Sequence, residues 1–343
     1  MLRIQLTSPS DRLAIRARER LPTIVFFAVL LSIKGQGMSS QDNQTSDQPA
    51  AENAPPTKRA MIVQRGLRWF RVCAIVYVVV LVAMVVFESR LVFPGAYMER
   101  NAAALTSVQD WNYRNQDDLK LTGRKLLRPN SKRTVLLLHG NGIQAKWMDM
   151  RIAQLAEQLE CDVYCAEYSG FQYSDITPCE ENFLADACSA HQAACQAASV
   201  QGEDLIVYGT SLGGAAAAEV ASVNQSKTII LDRTFDAAVA VAAQKYWMMP
   251  IRLLMKNRFE SERRLSEYRG KVVQIHGPPD AIVPYRNGKA LFESIPSEDK
   301  TFLTVEGLRH NDSMPDEVLQ QVEALLPEQN QPQAMKQDSA VSK

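Results

Sequence analysis

The sequence predicts an α/β protein: a doubly wound, mostly parallel sheet with a helical cap insertion, preceded by one transmembrane helix. Three observations carry this. From about residue 91 to 326 strand-like and helix-like segments alternate. The strand-like segments are short unbroken apolar runs, such as Val135–Leu138 and Leu205–Tyr208, as required of strands covered on both faces. Residues 72–87 are sixteen apolar positions in a row, close to the length of a bilayer span.

Composition bounds the remaining possibilities. Of 343 residues 46% are hydrophobic, enough for one large domain with a sizeable core. Lys plus Arg number 38 and Asp plus Glu number 38, which excludes a whole-protein basic footprint for nucleic acid. Six cysteines, none in a C-x-x-C pair, predict neither a disulfide-built scaffold nor a structural metal.

In chain order, residues 1–60 form an N-terminal region. Its apolar segment 24–33 follows Arg16, Arg18 and Arg20 and has the shape of a signal-peptide core. If it stayed in the membrane it would be a first span and return the main domain to the cytoplasm; translation from Met38 or Met61 would omit it. Residues 38–60 are rich in Gln, Asn, Ser, Asp and Pro and read as a disordered linker. The transmembrane helix is expected at 68–88. Lys58, Arg59, Arg65, Arg68 and Arg71 precede it, against Arg90 and Arg100 after it. That asymmetry predicts a single-pass protein with its main domain on the extracytoplasmic side.

Within the domain at 91–326, strands are predicted at 119–127, 134–138, 163–167, 205–208, 228–231, 272–275 and 301–305. Helices are predicted at 146–159, 181–198, 212–223, 236–268, 289–293 and 315–326. The stretch 236–268 is the expected cap. Residues 327–343 read as a disordered tail.

The chemistry centres on Gly209-Thr210-Ser211-Leu212-Gly213, which follows the strand Leu205–Tyr208 and opens an alanine-rich helix. Glycines on both sides suit a sharp strand-to-helix turn that presents a serine nucleophile; otherwise Ser211 is a helix N-cap. A serine needs a base, itself oriented by a carboxylate. Of His139, His191, His276 and His310, only the last two lie downstream of Ser211. His276 precedes the acid candidate Asp280 and so breaks the serine, acid, histidine order, leaving His310 as base. Asp280 is the first choice of acid, with Asp232 and Asp312 as competitors. Oxyanion donors are expected at the backbone amides of Leu212 and Asn141, with His139 buttressing the latter's loop.

A rival reading uses the same loop. Gly140-Asn141-Gly142-Ile143-Gln144-Ala145 satisfies G-x-G-x-x-A between a strand and a helix, with Glu167 about 25 residues on, nearly a fingerprint for a dinucleotide such as NAD(P). It would leave Ser211, Asp280 and His310 without a purpose. A third possibility is a non-catalytic binding protein.

LLLHGNG, YGTSLGG, IHGPPDAIVP and GLRHND together resemble the α/β-hydrolase superfamily over about Leu91 to Leu326. They are similar to the oxyanion loop, nucleophile turn, acid loop and histidine loop of its membrane-anchored serine hydrolases, the group that includes protein depalmitoylases and lipid esterases. RLVFPG after the membrane helix is similar too. The resemblance implies Ser211 as nucleophile, Asp280 as acid, His310 as base and Asn141 with Leu212 as oxyanion donors. It departs from the family at Gln172, where relatives tend to carry glycine.

The cap stretch contains Tyr246, Trp247, Met248, Met249, Leu253 and Met255. Either it lines a pocket for variable acyl chains or it packs an apolar face on the sheet. Cys188 and Cys195 fall on one helical face, and an exported domain has room for up to two disulfides. The expectation is a membrane-anchored serine hydrolase acting without cofactor or metal on esters or thioesters of small-molecule or acylated substrates.

Overall fold

The computed structural model describes residues 58–99, 104–172 and 175–328. The signal-like segment 24–33, the linker up to residue 57 and the tail from 329 lie outside the described residues. The chain divides into a unit ending at Arg65 and one beginning at Gly66, and the fold and site belong to the second.

Helix α1, Lys58–Val86, begins where the linker was expected still to run. Among the described residues it alone is long and apolar enough to cross a membrane, over Met61–Val86, and none of its apolar window is buried. At about 1.5 Å per residue such a stretch exceeds the roughly 30 Å of a hydrocarbon core. A short helix α2, Glu88–Val92, and a 3-10 turn, Pro94–Tyr97, follow.

The domain is built on eight strands: β1 Gln109–Arg114, β2 Lys120–Leu126, β3 Arg133–Leu138, β4 Cys161–Cys165, β5 Ile206–Thr210, β6 Thr228–Asp232, β7 Lys271–His276 and β8 Lys300–Thr304. Their order is β1-β2-β4-β3-β5-β6-β7-β8. β1 and β2 pair antiparallel, as do β2 and β4, and all later pairs are parallel. The remaining helices are α3 Asp149–Gln158, α4 Ser169–Gln172, α5 Glu180–Ala198, α6 Leu212–Asn224, α7 Ala238–Lys245, α8 Ile251–Leu254, α9 Ser261–Arg264, α10 Tyr285–Ser294 and α11 Asp316–Leu325.

β3 shows why the central strands are continuously apolar. Leu136 and Leu138 belong to a core layer shared with α5 and α6, while Val135 and Leu137 belong to a second layer shared with α3 and α11. Successive side chains point to opposite faces, so a strand with helices on both sides has no solvent face to make polar.

Three expectations are corrected. β1 was not anticipated, because Gln109–Arg114 is an edge strand whose inward residues are only Trp111 and Tyr113; with one face wet, the apolar run used as the strand signal does not exist. The strand expected at 163–167 ends at Cys165, which puts Glu167 in the loop beyond the sheet. The helical stretch 236–268 is three short helices: Pro250 N-caps α8, and Phe259, at φ 44°, turns the chain back so that Glu260 bridges Ala237.

Candidate active site

At the end of β5 the chain turns through Ser211, whose φ of 53° and ψ of −119° lie outside the ordinary regions for a residue with a side chain. The turn is held from outside: Ser211 N donates to Asp232 O at 2.9 Å and Thr234 Oγ1 donates to Ser211 O at 2.8 Å. Gly213 explains the small residue after it, since a Cβ there would run into the Leu138 carbonyl of the neighbouring strand. Ser211 is nearly buried, with its side chain at the C-terminal edge of the sheet.

His310 and Asp280 arrive from loops 99 and 69 residues downstream of that serine. His310 Nε2 lies 3.0 Å from Ser211 Oγ, and Nδ1 donates to Asp280 Oδ2 at 2.7 Å. The other Asp280 oxygen accepts the N–H groups of Ile282 and Val283, both at 2.9 Å. His276 Nε2 donates to Val283 O at 3.0 Å and also lies 3.4 Å from the shared Oδ2. Burial by itself would raise the Asp280 pKa, but the hydrogen bonds from His276 and His310 outweigh it and hold the carboxyl below the usual range. The structure thus brings Ser211, His310 and Asp280 together, an arrangement able to withdraw a hydroxyl proton and keep the resulting imidazolium paired.

The competing acids are used otherwise. Asp232 is fully buried and bonds Arg233 at 2.7 and 3.1 Å, with Tyr208 and Arg151 also on Oδ2. Burial opposes its ionisation, yet the Arg233 charge beside it keeps its pKa low. Arg233 in turn donates to the carbonyls of Arg309 and Asp312 at 3.0 and 2.7 Å, clasping the loop that carries His310. Asp312 Oδ2 accepts Arg309 N at 2.9 Å and so folds that loop on itself.

The loop after β3 adjoins Ser211: a Cβ on Gly140 would sit 3.2 Å from the Ser211 Cβ. Leu212 opens α6, where first-turn N–H groups lack intrahelical partners. The Asn141 side chain is engaged elsewhere, its Nδ2 donating to Val92 O at 2.7 Å, and its backbone carbonyl accepts Gly95 N at 2.8 Å. Gln144 Nε2 adds a bond to Gly95 O at 2.8 Å. A Cβ on Gly95 would sit 2.7 Å from Ile143 N and 2.8 Å from Asn141 O, so the approach is backbone to backbone. Phe93, wholly buried, packs on Phe171, Phe183 and Phe259 and anchors the segment that makes these contacts.

From beneath, His139 Nδ1 donates to Gly140 O at 2.9 Å and its Nε2 lies 3.2 Å from Glu167 Oε1. The same carboxylate accepts Tyr168 N and Ala145 N, both at 2.9 Å. Glu167 is itself fixed by Tyr113 of β1, whose hydroxyl donates to its carbonyl at 2.7 Å and accepts its N–H at 3.0 Å. The buttressing role foreseen for His139 stands, whereas the rival dinucleotide reading fails here. The acid it needs for a ribose is buried and spent on the loop itself. Gln172, the departure from the family pattern, closes α4 and accepts Thr122 N of β2 at 2.9 Å.

Gly95, Gln144, Glu167, Tyr113 and Arg233 were not singled out for the site from sequence, apart from Glu167 in the wrong role. All six cysteines are free, and burial pushes the Cys188 and Cys195 thiols up to about 11.

This fold and this edge of the sheet define the class. The model of the alpha/beta hydrolase fold family matches residues 133–334, and the chain belongs to that family. Among curated proteins it is 29% identical over 187 residues to alpha/beta hydrolase domain-containing protein 17C of Mus musculus, covering 54% of this chain and 56% of that protein. The 17B protein of Homo sapiens is likewise 29% identical over 187 residues, with 62% of its length covered; the chain thus spans little more than half the length of these relatives. Among solved structures, an alpha-beta hydrolase from Vibrio vulnificus superposes with a TM-score of 0.55 at 15% identity, covering 70% of this chain and 92% of that one. An esterase from Pyrococcus furiosus gives 0.53 at 16%, covering 66% and 96%. At such identities the likeness concerns the fold.

Proposed function

We propose that the protein is a membrane-anchored serine hydrolase that cleaves carboxylic esters or thioesters of lipid-like or acylated substrates through an acyl-enzyme. The observation that carries the reading is the relay of 2.7 and 3.0 Å contacts from Asp280 through His310 to Ser211. Ser211 Oγ attacks the carbonyl carbon as His310 Nε2 takes its proton. The oxyanion is held by the amides of Leu212 and Asn141; the leaving group takes the proton from His310, and water, activated by the same imidazole, releases the acyl group. Asp280 keeps the ring oriented and pairs its transient charge.

Anchoring through residues 68–88, with the hydrolase domain at 91–326 on the extracytoplasmic side, rests on the span-length apolar helix and the cations before it. Support for acyl-bearing substrates comes from an apolar groove of about 160 Å³ between the end of α1, α2 and the cap, lined by Met84, Leu91, Val92, Tyr246, Ile251 and Met255. Val92 shares both places: it lines the groove, and its carbonyl holds Asn141. The test is hydrolysis of a chain-length series of acyl esters and thioesters by the full chain in detergent. Turnover lost in a folded Ser211→Ala variant supports the reading, and turnover equal to wild type refutes it.

A further inference from the structure

The cap carries an apolar tip that its own domain does not cover. Trp247 is 78% exposed, Met248 69% and Leu253 86%, bulky side chains whose hydration is unfavourable and whose clustering marks a contact surface. Its place along α1 identifies the contact. Tyr77 Oη donates to Met248 O at 2.9 Å, and Met84, on the same face two turns later, packs on the cap cluster of Val239, Ala240 and Ile251. Tyr77 stands nine positions before Val86, the last residue of α1, which is roughly 13 Å along the helix axis. Just beyond that end, Glu88 and Arg90 mark where the chain returns to a polar environment.

Resting on the membrane-anchored reading above, we infer that the cap tip around Trp247, Met248 and Leu253 is inserted into the bilayer beside α1. If α1 crosses the membrane, a loop hydrogen-bonded to its residue 77 is below the membrane surface, because the hydrocarbon begins near the end of the helix. The polar atoms agree. A backbone carbonyl at that depth has no water to bond and needs an internal partner, as does a tyrosine hydroxyl on a spanning helix; Met248 O and Tyr77 Oη satisfy each other. Other amides of the tip are paired within the cap, with Tyr246 N on Ala242 O, Met249 N on Tyr246 O and Met255 N on Ile251 O. Trp247 and Tyr246 are of the type that concentrates at membrane interfaces. The cations bounding the tip, Lys245 and Arg252, have stems long enough to lift their charges toward lipid headgroups. Lipid is favoured over a second protein copy because the patch is continuous with the uncovered apolar surface of α1.

The tip therefore seats the groove mouth within the membrane, so that an acyl chain reaches it without crossing water. The test reads tryptophan emission of the full chain in phosphatidylcholine vesicles with and without bromine on the acyl chains near the headgroups. The buried Trp111 and the domain's Trp147 give a constant background. Trp69→Phe protein is expected to lose emission in brominated vesicles, and most of that loss is expected to vanish in Trp69→Phe/Trp247→Phe. Equal quenching of those two variants, together with quenching of Trp247→Phe protein through its remaining Trp69, would mean that α1 spans while the tip stays in water, overturning the inference alone. No quenching in any variant would overturn the anchored reading and the inference with it. Trp247 is too exposed for its replacement by phenylalanine to endanger folding.

Discussion

The two sides of Ser211 are built in different ways. The nucleophile turn is local in sequence: strand β5, the strained serine and helix α6 are consecutive, Gly213 meets the adjacent strand end, and only Asp232 and Thr234 brace it from elsewhere. The oxyanion-loop side is assembled from far apart, with Val92 and Gly95 from the segment after α1, Tyr113 from β1 and Glu167 beyond β4 all converging on 139–145. The first can be encoded in one stretch of five residues. The second exists only after the sheet and the segment that follows α1 have folded together, which ties that loop to the part of the chain next to the long apolar helix.

The largest expected effect falls on the histidine relay that serves the nucleophile turn. Asp280→Asn preserves the shape but leaves His310 without a carboxylate, and turnover is expected to fall about 10⁴-fold with the fold intact, read by steady-state hydrolysis beside circular dichroism. Next comes the assembled side. Gly95→Val puts side-chain atoms against Ile143 N and Asn141 O, and displacing one oxyanion donor is expected to lower kcat about 10²- to 10³-fold with little change in KM. An unchanged kcat would show that the loop does not depend on the segment after α1.

A smaller effect belongs beneath the loop. Glu167→Gln turns an amide donor toward groups that donate to it, Ala145 N or Tyr168 N, and is expected to cost about 2 kcal/mol of stability, measured as a shift in Tm. The smallest is electrostatic. Because the folded Asp280 pKa is depressed, its stabilisation is complete above the unfolded value of ~3.9 and is lost as pH falls below it. Asp280→Asn should therefore flatten the acid limb of the stability profile below about pH 4 and leave its slope above pH 5 unchanged.

The same contrast explains what could be read in advance. The meeting of Ser211, His310 and Asp280 was legible because each stands in a loop beyond a strand, in an order that one fold uses. The parallel strands were legible because double burial leaves a continuous apolar run, as in Val135–Leu138. β1 was not, since its two inward aromatics give too brief a pattern. Nor was the work of Glu167, because a buried carboxylate after a strand looks alike whether it binds a ribose or pins its own loop. Gly95 and Gln144 fell within recognisable motifs, RLVFPG and the loop after β3, but nothing local showed that they bond each other's segments, which lie some fifty residues apart. Asp232 was separable from Asp280 only through Arg233, which claims both its oxygens.

The most direct test of the account is the mass of the intact protein after exposure to a fluorophosphonate, followed by peptide mapping. One adduct is expected, on Ser211, formed at a rate that collapses in Asp280→Asn and His310→Ala and absent from Ser211→Ala. A folded protein that takes no adduct, or takes it equally well without Ser211, would contradict the claim that this hydroxyl is the nucleophile.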